Sequence, residues 1–137
     1  MGAVADVVAV AWAARSAPLW GLVQPFVDGR GDESVQAPAA RDKGYAYGVF
    51  PPAALRAMVQ SASAGRAALS RVTVPTLVIN SREDNRIPSA LAEQAIAPLR
   101  APTDRQWVSG CGHVITVDYC KDTVADLMLA FLARHAE

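Results

Sequence analysis

The stretch VTVPTLVINSREDNRIP, from Val72 to Pro88, contains the strongest structural signal in the sequence. It begins with an apolar run rich in β-branched residues, which predicts a strand over Val72–Asn80. The run is too continuous for a half-exposed sheet and is typical of a parallel strand covered on both faces. The strand is followed at once by charged residues, among them Asp84. Ligands bind beyond the carboxyl ends of strands in open parallel sheets, so Asp84 is a candidate functional residue.

The residues after this stretch predict a second strand in the same sheet. A helix is expected over Ser89–Leu99, with Ser89 as its N-cap. A short strand follows at Arg105–Val108, and Asp118–His135 is an amphipathic helix in which Asp118 is expected to cap the N-terminus. The order strand, helix, strand, helix indicates a right-handed parallel unit. The predicted fold class is therefore α/β.

Residues 1–70 form a predicted helical region that precedes the strands. The apolar residues of Val4–Ala14 surround a helix, which indicates a mostly buried helix that ends before Pro18. A Gly- and Pro-rich irregular stretch follows, with room for one short helix. Pro51–Pro52 then open a second long helix, with Gly65 as a candidate break within it.

Composition restricts the classes of protein and of partner. The 137 residues are enough for one domain, and 13 basic residues balance 13 acidic ones, so neither nucleic acid nor an anionic membrane is expected as a partner. Asp6 and Arg15 interrupt the apolar N-terminus, which argues against a signal peptide or a membrane anchor. Cys111 and Cys120 are two thiols without paired CxxC spacing, which predicts neither a disulfide framework nor a zinc site and makes the reducing cytoplasm the default compartment.

A histidine follows the second predicted strand just as an acid follows the first. Gly110-Cys111-Gly112-His113 comes directly after Arg105–Val108. Two parallel neighbours would bring Asp84 and His113 to one edge of the sheet, where the carboxylate could fix the tautomer of the imidazole and stabilise the imidazolium. Three alternatives stay open. The role of Asp84 could be purely structural, as a turn former or a helix cap, His113 could be structural, and Glu83 could be the acid.

Two segments resemble one family of enzymes. Val74–Pro88, with VPTLVI, SRED and IP, is similar to the acid-bearing strand and turn of α/β-hydrolases. Ser109–Asp118, SGCGHVITVD, resembles the histidine loop of their carboxylesterase and monoacylglycerol-lipase branch. The resemblance covers about Arg71–His135, and the preceding region is only loosely similar to a cap. It implies a partial α/β-hydrolase fold, with a helical cap-like region in residues 1–70 and a parallel β-α-β-α part of the core in residues 71–137.

The resemblance also implies a chemistry. Asp84 would be the triad acid and His113 the general base, with no metal or cofactor and with a small-molecule ester as substrate. In this family the nucleophile precedes both residues, on a strand-to-helix elbow that reads G-x-S-x-G. No serine of this sequence has that pattern. Ser63 comes nearest and is interpreted as part of a small-residue helix, while Cys111 is too close to His113 in the chain to attack in line.

The predicted function is therefore the C-terminal part of a serine hydrolase for carboxylic esters, inactive as this chain alone. Alternatives are a non-catalytic α/β module or truncated fragment, and a related chemistry such as that of a peptidase, dehalogenase or acyltransferase. The strand that carries Asp84 is expected to present an uncovered edge, through which the chain could associate with itself.

Overall fold

The computed structural model describes residues 2–28, 34–41 and 48–136. They form five α-helices, four strands and one short 3₁₀ turn. In chain order these are α1 (Gly2–Trp20), β1 (Val27–Asp28), α2 (Pro38–Arg41), β2 (Val49–Phe50), α3 (Pro52–Ala68), the 3₁₀ turn Leu69–Arg71, β3 (Thr76–Ser81), α4 (Ser89–Ile96), β4 (Thr103–Val108) and α5 (Lys121–His135).

The chain divides into two compact units. The first comprises Met1–Gly31 and Tyr45–Ala67, and the second comprises Asp32–Gly44 and Ala68–Glu137. The second unit is therefore discontinuous in the chain, because the segment that holds most of α3 lies between its two parts. None of the described helices is long and apolar enough to cross a membrane.

Helices α1 and α3 and the antiparallel pair β1–β2 belong to the first unit. Contrary to the sequence prediction, α1 does not end before Pro18 but includes it and continues to Trp20. Proline has no N–H to donate to the preceding turn, but the helical hydrogen-bond pattern resumes after it, since Gly21 N donates to Ala17 O at 2.9 Å. Helix α3 likewise runs through Gly65 without a break.

The expectation of a mostly buried first helix is met only in part. Ala14 and Ala17 are buried, but Trp12 is 72% exposed. The side chains of residues 2–10 lie outside the described residues. The two-residue strands β1 and β2 were not predicted, because so short a pair carries no periodicity in the sequence.

The second unit contains a mixed α/β arrangement around a parallel pair. Strands β3 and β4 run parallel, in a register that pairs Thr76 with Thr103 and Ser81 with Val108. Helix α4 connects the two strands, and both α4 and α5 contact β3. The fold class predicted from the sequence is thus the one observed.

The burial of β3 differs from the prediction. Leu77, Val78 and Ile79 are half-buried rather than covered on both faces. The described part of the sheet has two strands, so β3 has a hydrogen-bonded neighbour on one side, and the helices that contact it cover its residues incompletely. The core of the unit lies instead at the ends of the strands, where Val108 and Val124 pack with the two cysteines.

The two cysteines correct another prediction, because Cys111 and Cys120 form a disulfide. Paired CxxC spacing is not required for this. The chain between them folds back and brings their Cα atoms to 5.8 Å, within the range that a disulfide spans. Cys111 is fully buried and Cys120 nearly so. The disulfide therefore joins the start of the loop that contains His113 to the residue before α5.

Both predicted caps are also wrong. Helix α4 begins at Ser89 with Pro88 in the cap position and no side-chain cap, and α5 begins at Lys121 after Cys120. Asp118 lies outside α5, where its carboxylate accepts hydrogen bonds from loop N–H groups instead of capping the helix.

Candidate active site

The parallel register of β3 and β4 determines where the two candidate catalytic residues lie. The strands end side by side at Ser81 and Val108, and Arg82 N donates to Val108 O at 2.9 Å just beyond them. The chain then enters two loops at the same edge of the sheet. The first, after β3, is the acid turn with Asp84. The second, after β4, is the histidine loop, Ser109–Cys120, with His113.

The structure brings Asp84 and His113 together. The distance from Asp84 Oδ2 to His113 Nδ1 is 2.9 Å, a hydrogen bond between side chains that are 8% and 37% exposed respectively. With Nδ1 bound to a carboxylate, Nε2 is the imidazole nitrogen that can exchange a proton with another group. An imidazole held in this way can act chemically as a general base.

The second oxygen of Asp84 shapes the turn that carries it. Oδ1 accepts hydrogen bonds from Arg86 N and Ile87 N, both at 2.8 Å. Burial by itself would raise the pKa of Asp84, but the bond to His113 and the two backbone N–H groups outweigh it and hold the pKa below its usual value. Asp84 is thus both a turn former and the partner of His113, two roles that the sequence left as alternatives.

Glu83, the alternative acid, binds elsewhere. Its Oε2 accepts a hydrogen bond from Gly110 N at 3.0 Å, and so connects the acid turn to the start of the histidine loop. Close by, Ser81 Oγ donates to Cys111 O at 2.5 Å. These two bonds fix the loop to the end of β3 before the chain reaches His113.

Asp118 is the functional candidate that the sequence analysis did not recognise. It is 1% exposed and accepts four backbone hydrogen bonds. Oδ2 binds Gln36 N at 2.8 Å and Gly112 N at 2.7 Å, and Oδ1 binds Ala37 N at 2.8 Å and Tyr119 N at 2.9 Å. Burial alone would raise its pKa, but these N–H donors lower it below the usual value. Two donors come from far along the chain, so no local pattern could have indicated them.

The segment that reaches Asp118 also contacts both loops of the site. Ser34 O accepts a hydrogen bond from Val114 N at 3.2 Å, and Ser34 Oγ accepts one from Arg86 Nε at 2.8 Å. A Cβ on Gly112 would lie 2.6 Å from Ser34 O, so only glycine allows so close an approach at that position. Residues 34–37, which form the anchor segment, are therefore packed against the histidine loop.

The two other sequence candidates are Ser63 and Cys111. Ser63 lies exposed in α3, within the first unit. Cys111 is in a disulfide and has no free thiol. Within residues 2–28, 34–41 and 48–136, no group of three or more His, Cys, Asp or Glu side chains is arranged to hold a metal ion.

Comparison with known proteins identifies the fold. No protein-family model matches the chain, and no curated protein matches it. Among solved structures, one of the metagenome-derived lipolytic enzymes LipS and LipT is 25% identical, with a TM-score of 0.76 over 89% of this chain and 49% of that one. The monoacylglycerol lipase of Paleococcus ferrophilus is 13% identical, with a TM-score of 0.73 over 90% of this chain and 52% of that one.

Both similar structures are lipolytic enzymes with the α/β-hydrolase fold. This chain has part of that fold and spans about half the length of each.

Proposed function

We propose that this part of an α/β-hydrolase fold is the C-terminal part of a serine hydrolase that acts on carboxylic esters. Asp84 orients His113, and His113 is the general base. The observation that carries the proposal is the 2.9 Å hydrogen bond between Asp84 Oδ2 and His113 Nδ1, at the edge of a parallel sheet where ligands bind.

The proposed chemistry needs a serine hydroxyl next to Nε2 of His113. Nε2 takes the proton as the serine oxygen attacks the ester carbonyl, and Asp84 stabilises the imidazolium that forms. The imidazolium then gives its proton to the leaving alcohol, and a water molecule repeats the sequence to release the acid. The depressed pKa of Asp84 keeps the carboxylate ionised throughout. No step uses a metal or a cofactor.

A small-molecule ester is the proposed substrate, because the two similar structures are described as lipolytic enzymes and one of them as a monoacylglycerol lipase. The proposed serine is not within the printed sequence as a G-x-S-x-G elbow. We therefore propose that this serine lies in chain outside these 137 residues.

The cytoplasm, predicted from two free thiols, remains an untested expectation for the compartment. The Cys111–Cys120 disulfide is an observation against it, because structural disulfides persist mainly in oxidising compartments.

The 137-residue chain alone should not hydrolyse esters. Nucleophile and oxyanion donors together supply most of the rate enhancement of such enzymes. We expect purified chain to release p-nitrophenol from short-chain p-nitrophenyl esters no faster than an equal concentration of imidazole. Turnover that Ser63→Ala removes would contradict this and assign the nucleophile to α3.

The proposal itself is tested by sequencing the reading frame before the Met1 codon and expressing the extended polypeptide. We expect the frame to encode an apolar strand and a G-x-S-x-G elbow, and the extended polypeptide to hydrolyse p-nitrophenyl esters. Asp84→Asn should then lower kcat about 10⁴-fold, whereas Asp126→Asn, an exposed aspartate of α5, should leave it unchanged. An extended polypeptide without that elbow, or one whose activity survives His113→Ala, would refute the proposal.

A further inference from the structure

Backbone hydrogen bonds hold the two residues that flank His113 in the chain. Gly112, the residue before it, donates its N–H to Asp118 Oδ2 at 2.7 Å. Val114, the residue after it, donates to Ser34 O at 3.2 Å. Both contacts lead to the anchor segment, because Asp118 also binds the N–H groups of Gln36 and Ala37. The position of the imidazole therefore depends on how the histidine loop and the anchor segment are joined.

Asp118 is the group that joins them. A carboxylate has about four lone-pair sites, and here four N–H donors occupy them: two from the anchor segment and two from the histidine loop. No neutral side chain of the same size can replace it. An asparagine has one carbonyl oxygen and turns an NH₂ group toward the other pair of donors, which would then lose their acceptor in a buried place.

The acid turn is connected to the same segment. Arg86 Nε donates to Ser34 Oγ at 2.8 Å, and Arg86 N donates to Asp84 Oδ1. The anchor segment thus contacts the turn that carries the acid and the loop that carries the histidine. A displacement of the loop relative to the segment would also be a displacement of His113 relative to Asp84.

We propose that Asp118 is a positioning residue for His113: it fixes the histidine loop on the anchor segment and so holds Nδ1 of the imidazole at the Asp84 carboxylate. This role rests on the proposed function, since it matters only if the Asp84–His113 pair acts in catalysis. Asp118 itself touches neither the imidazole nor any reacting atom.

A positioning role and a purely stabilising one differ in what happens to the imidazole while the protein is still folded. The bond to Asp84 selects the neutral tautomer with its proton on Nδ1, because the tautomer follows the hydrogen bond that the ring makes. If Asp118 only stabilises the loop, folded Asp118→Asn keeps this tautomer. If Asp118 positions His113, the folded variant shows a mixture of both tautomers.

The experiment measures the tautomer of His113 by ¹⁵N chemical shifts of the imidazole nitrogens, in the 137-residue chain at a pH where the ring is neutral. His113→Gln assigns the signals, since His135 is the other histidine of the sequence. Asp118→Asn is compared with Asp126→Asn, a control for loss of charge on an exposed residue. Ala92→Gly, at a buried position in α4, controls for lower stability away from the loop.

We expect wild type and both controls to hold the Nδ1–H tautomer, and Asp118→Asn to lose at least half of it. Gln36→Pro removes one N–H donor while keeping Asp118, and should lose a smaller fraction. It provides the test if Asp118→Asn does not fold. The wild-type tautomer in folded Asp118→Asn, or in Gln36→Pro where Asp118→Asn does not fold, would overturn the proposal.

Asp84→Asn separates this inference from the proposed function. If Asp84→Asn abolishes the preference for Nδ1–H and folded Asp118→Asn does not, the catalytic pair stands and the positioning role is wrong. If wild type itself shows no preference for Nδ1–H, the Asp84–His113 bond is absent and both are wrong.

Discussion

Asp84 and Asp118 are carboxylates whose pKa values the fold lowers, through the His113 hydrogen bond and backbone N–H groups for the first and backbone N–H groups alone for the second. A depressed folded-state pKa stabilises the native state above the unfolded pKa of about 3.9. That stabilisation is lost as the pH falls through the lower folded-state value. The two residues therefore make the second unit sensitive to acid.

We expect the free energy of unfolding, from urea titrations at a series of pH values, to decline steeply below about pH 4. Asp118→Asn should be less stable than wild type at pH 7 and should have a flatter profile in acid. Asp126→Asn is the control and should keep the wild-type slope. A profile of Asp118→Asn parallel to that of wild type would show that the pKa of this carboxyl is not depressed in the folded state.

Gly112 and Gly65 make opposite predictions for the same substitution. A Cβ at Gly112 would lie 2.6 Å from the backbone oxygen of Ser34, whereas nothing lies within 4 Å of one at Gly65. Gly112→Ala should lower the free energy of unfolding by about 1–3 kcal/mol. Gly65→Ala, within α3, should raise it by about 0.5–1 kcal/mol. Equal effects in urea denaturation would mean that residue 112 does not approach Ser34 this closely.

At the level of elements, the disulfide joins the histidine loop to α5. Its closed loop is short, with a sequence separation of 9, so it should contribute about 2–3 kcal/mol by restricting the unfolded chain. We expect the Cys111→Ala/Cys120→Ala variant to be less stable by that amount. In urea without reductant, wild type should take up no maleimide. Two labels per chain would show that the cysteines are thiols.

The elements of the second unit were largely predictable from the sequence, because their patterns are local. An apolar β-branched run, the helix after it and the charged end of the strand are each visible within a few residues, which suffices to place Asp84 and His113 at one edge of a parallel sheet. The anchor segment was not predictable. Its role comes from the N–H groups of Gln36 and Ala37, and backbone donors leave no mark in the sequence.

The errors share a physical cause. Asp118 and Ser89 have the chemistry of helix caps, but in the structure neither caps a helix. The carboxylate of Asp118 accepts hydrogen bonds from long-range N–H donors instead. Losing one helix cap destabilises the protein less than leaving four buried N–H donors without an acceptor. The disulfide was missed for a similar reason, since the spacing of two cysteines does not reveal the reversal of the chain between them.

For the whole molecule, the half-buried apolar residues of β3, and the edge of β3 that has no partner strand among the described residues, have a consequence in solution. Among the described residues the parallel sheet ends at β3 on one side and β4 on the other, and exposed edges of this kind pair with other chains. We expect light scattering after size exclusion to show dimers or larger species that increase with concentration. A monodisperse monomer with strong near-ultraviolet circular dichroism from Trp12, Trp20 and Trp107 would contradict this.

The four bonds of Asp118 also bear on the order in which the chain folds. Its contacts with Gln36 and Ala37 span 82 and 81 residues of sequence. Forming them closes a long loop of chain, which has an entropic cost. Contacts between residues so far apart in sequence are expected to form after the transition state, once β3 and β4 have paired. The joining of anchor segment and histidine loop would then govern mainly the rate of unfolding, and the Asp84–His113 pair would be completed among the last steps of folding.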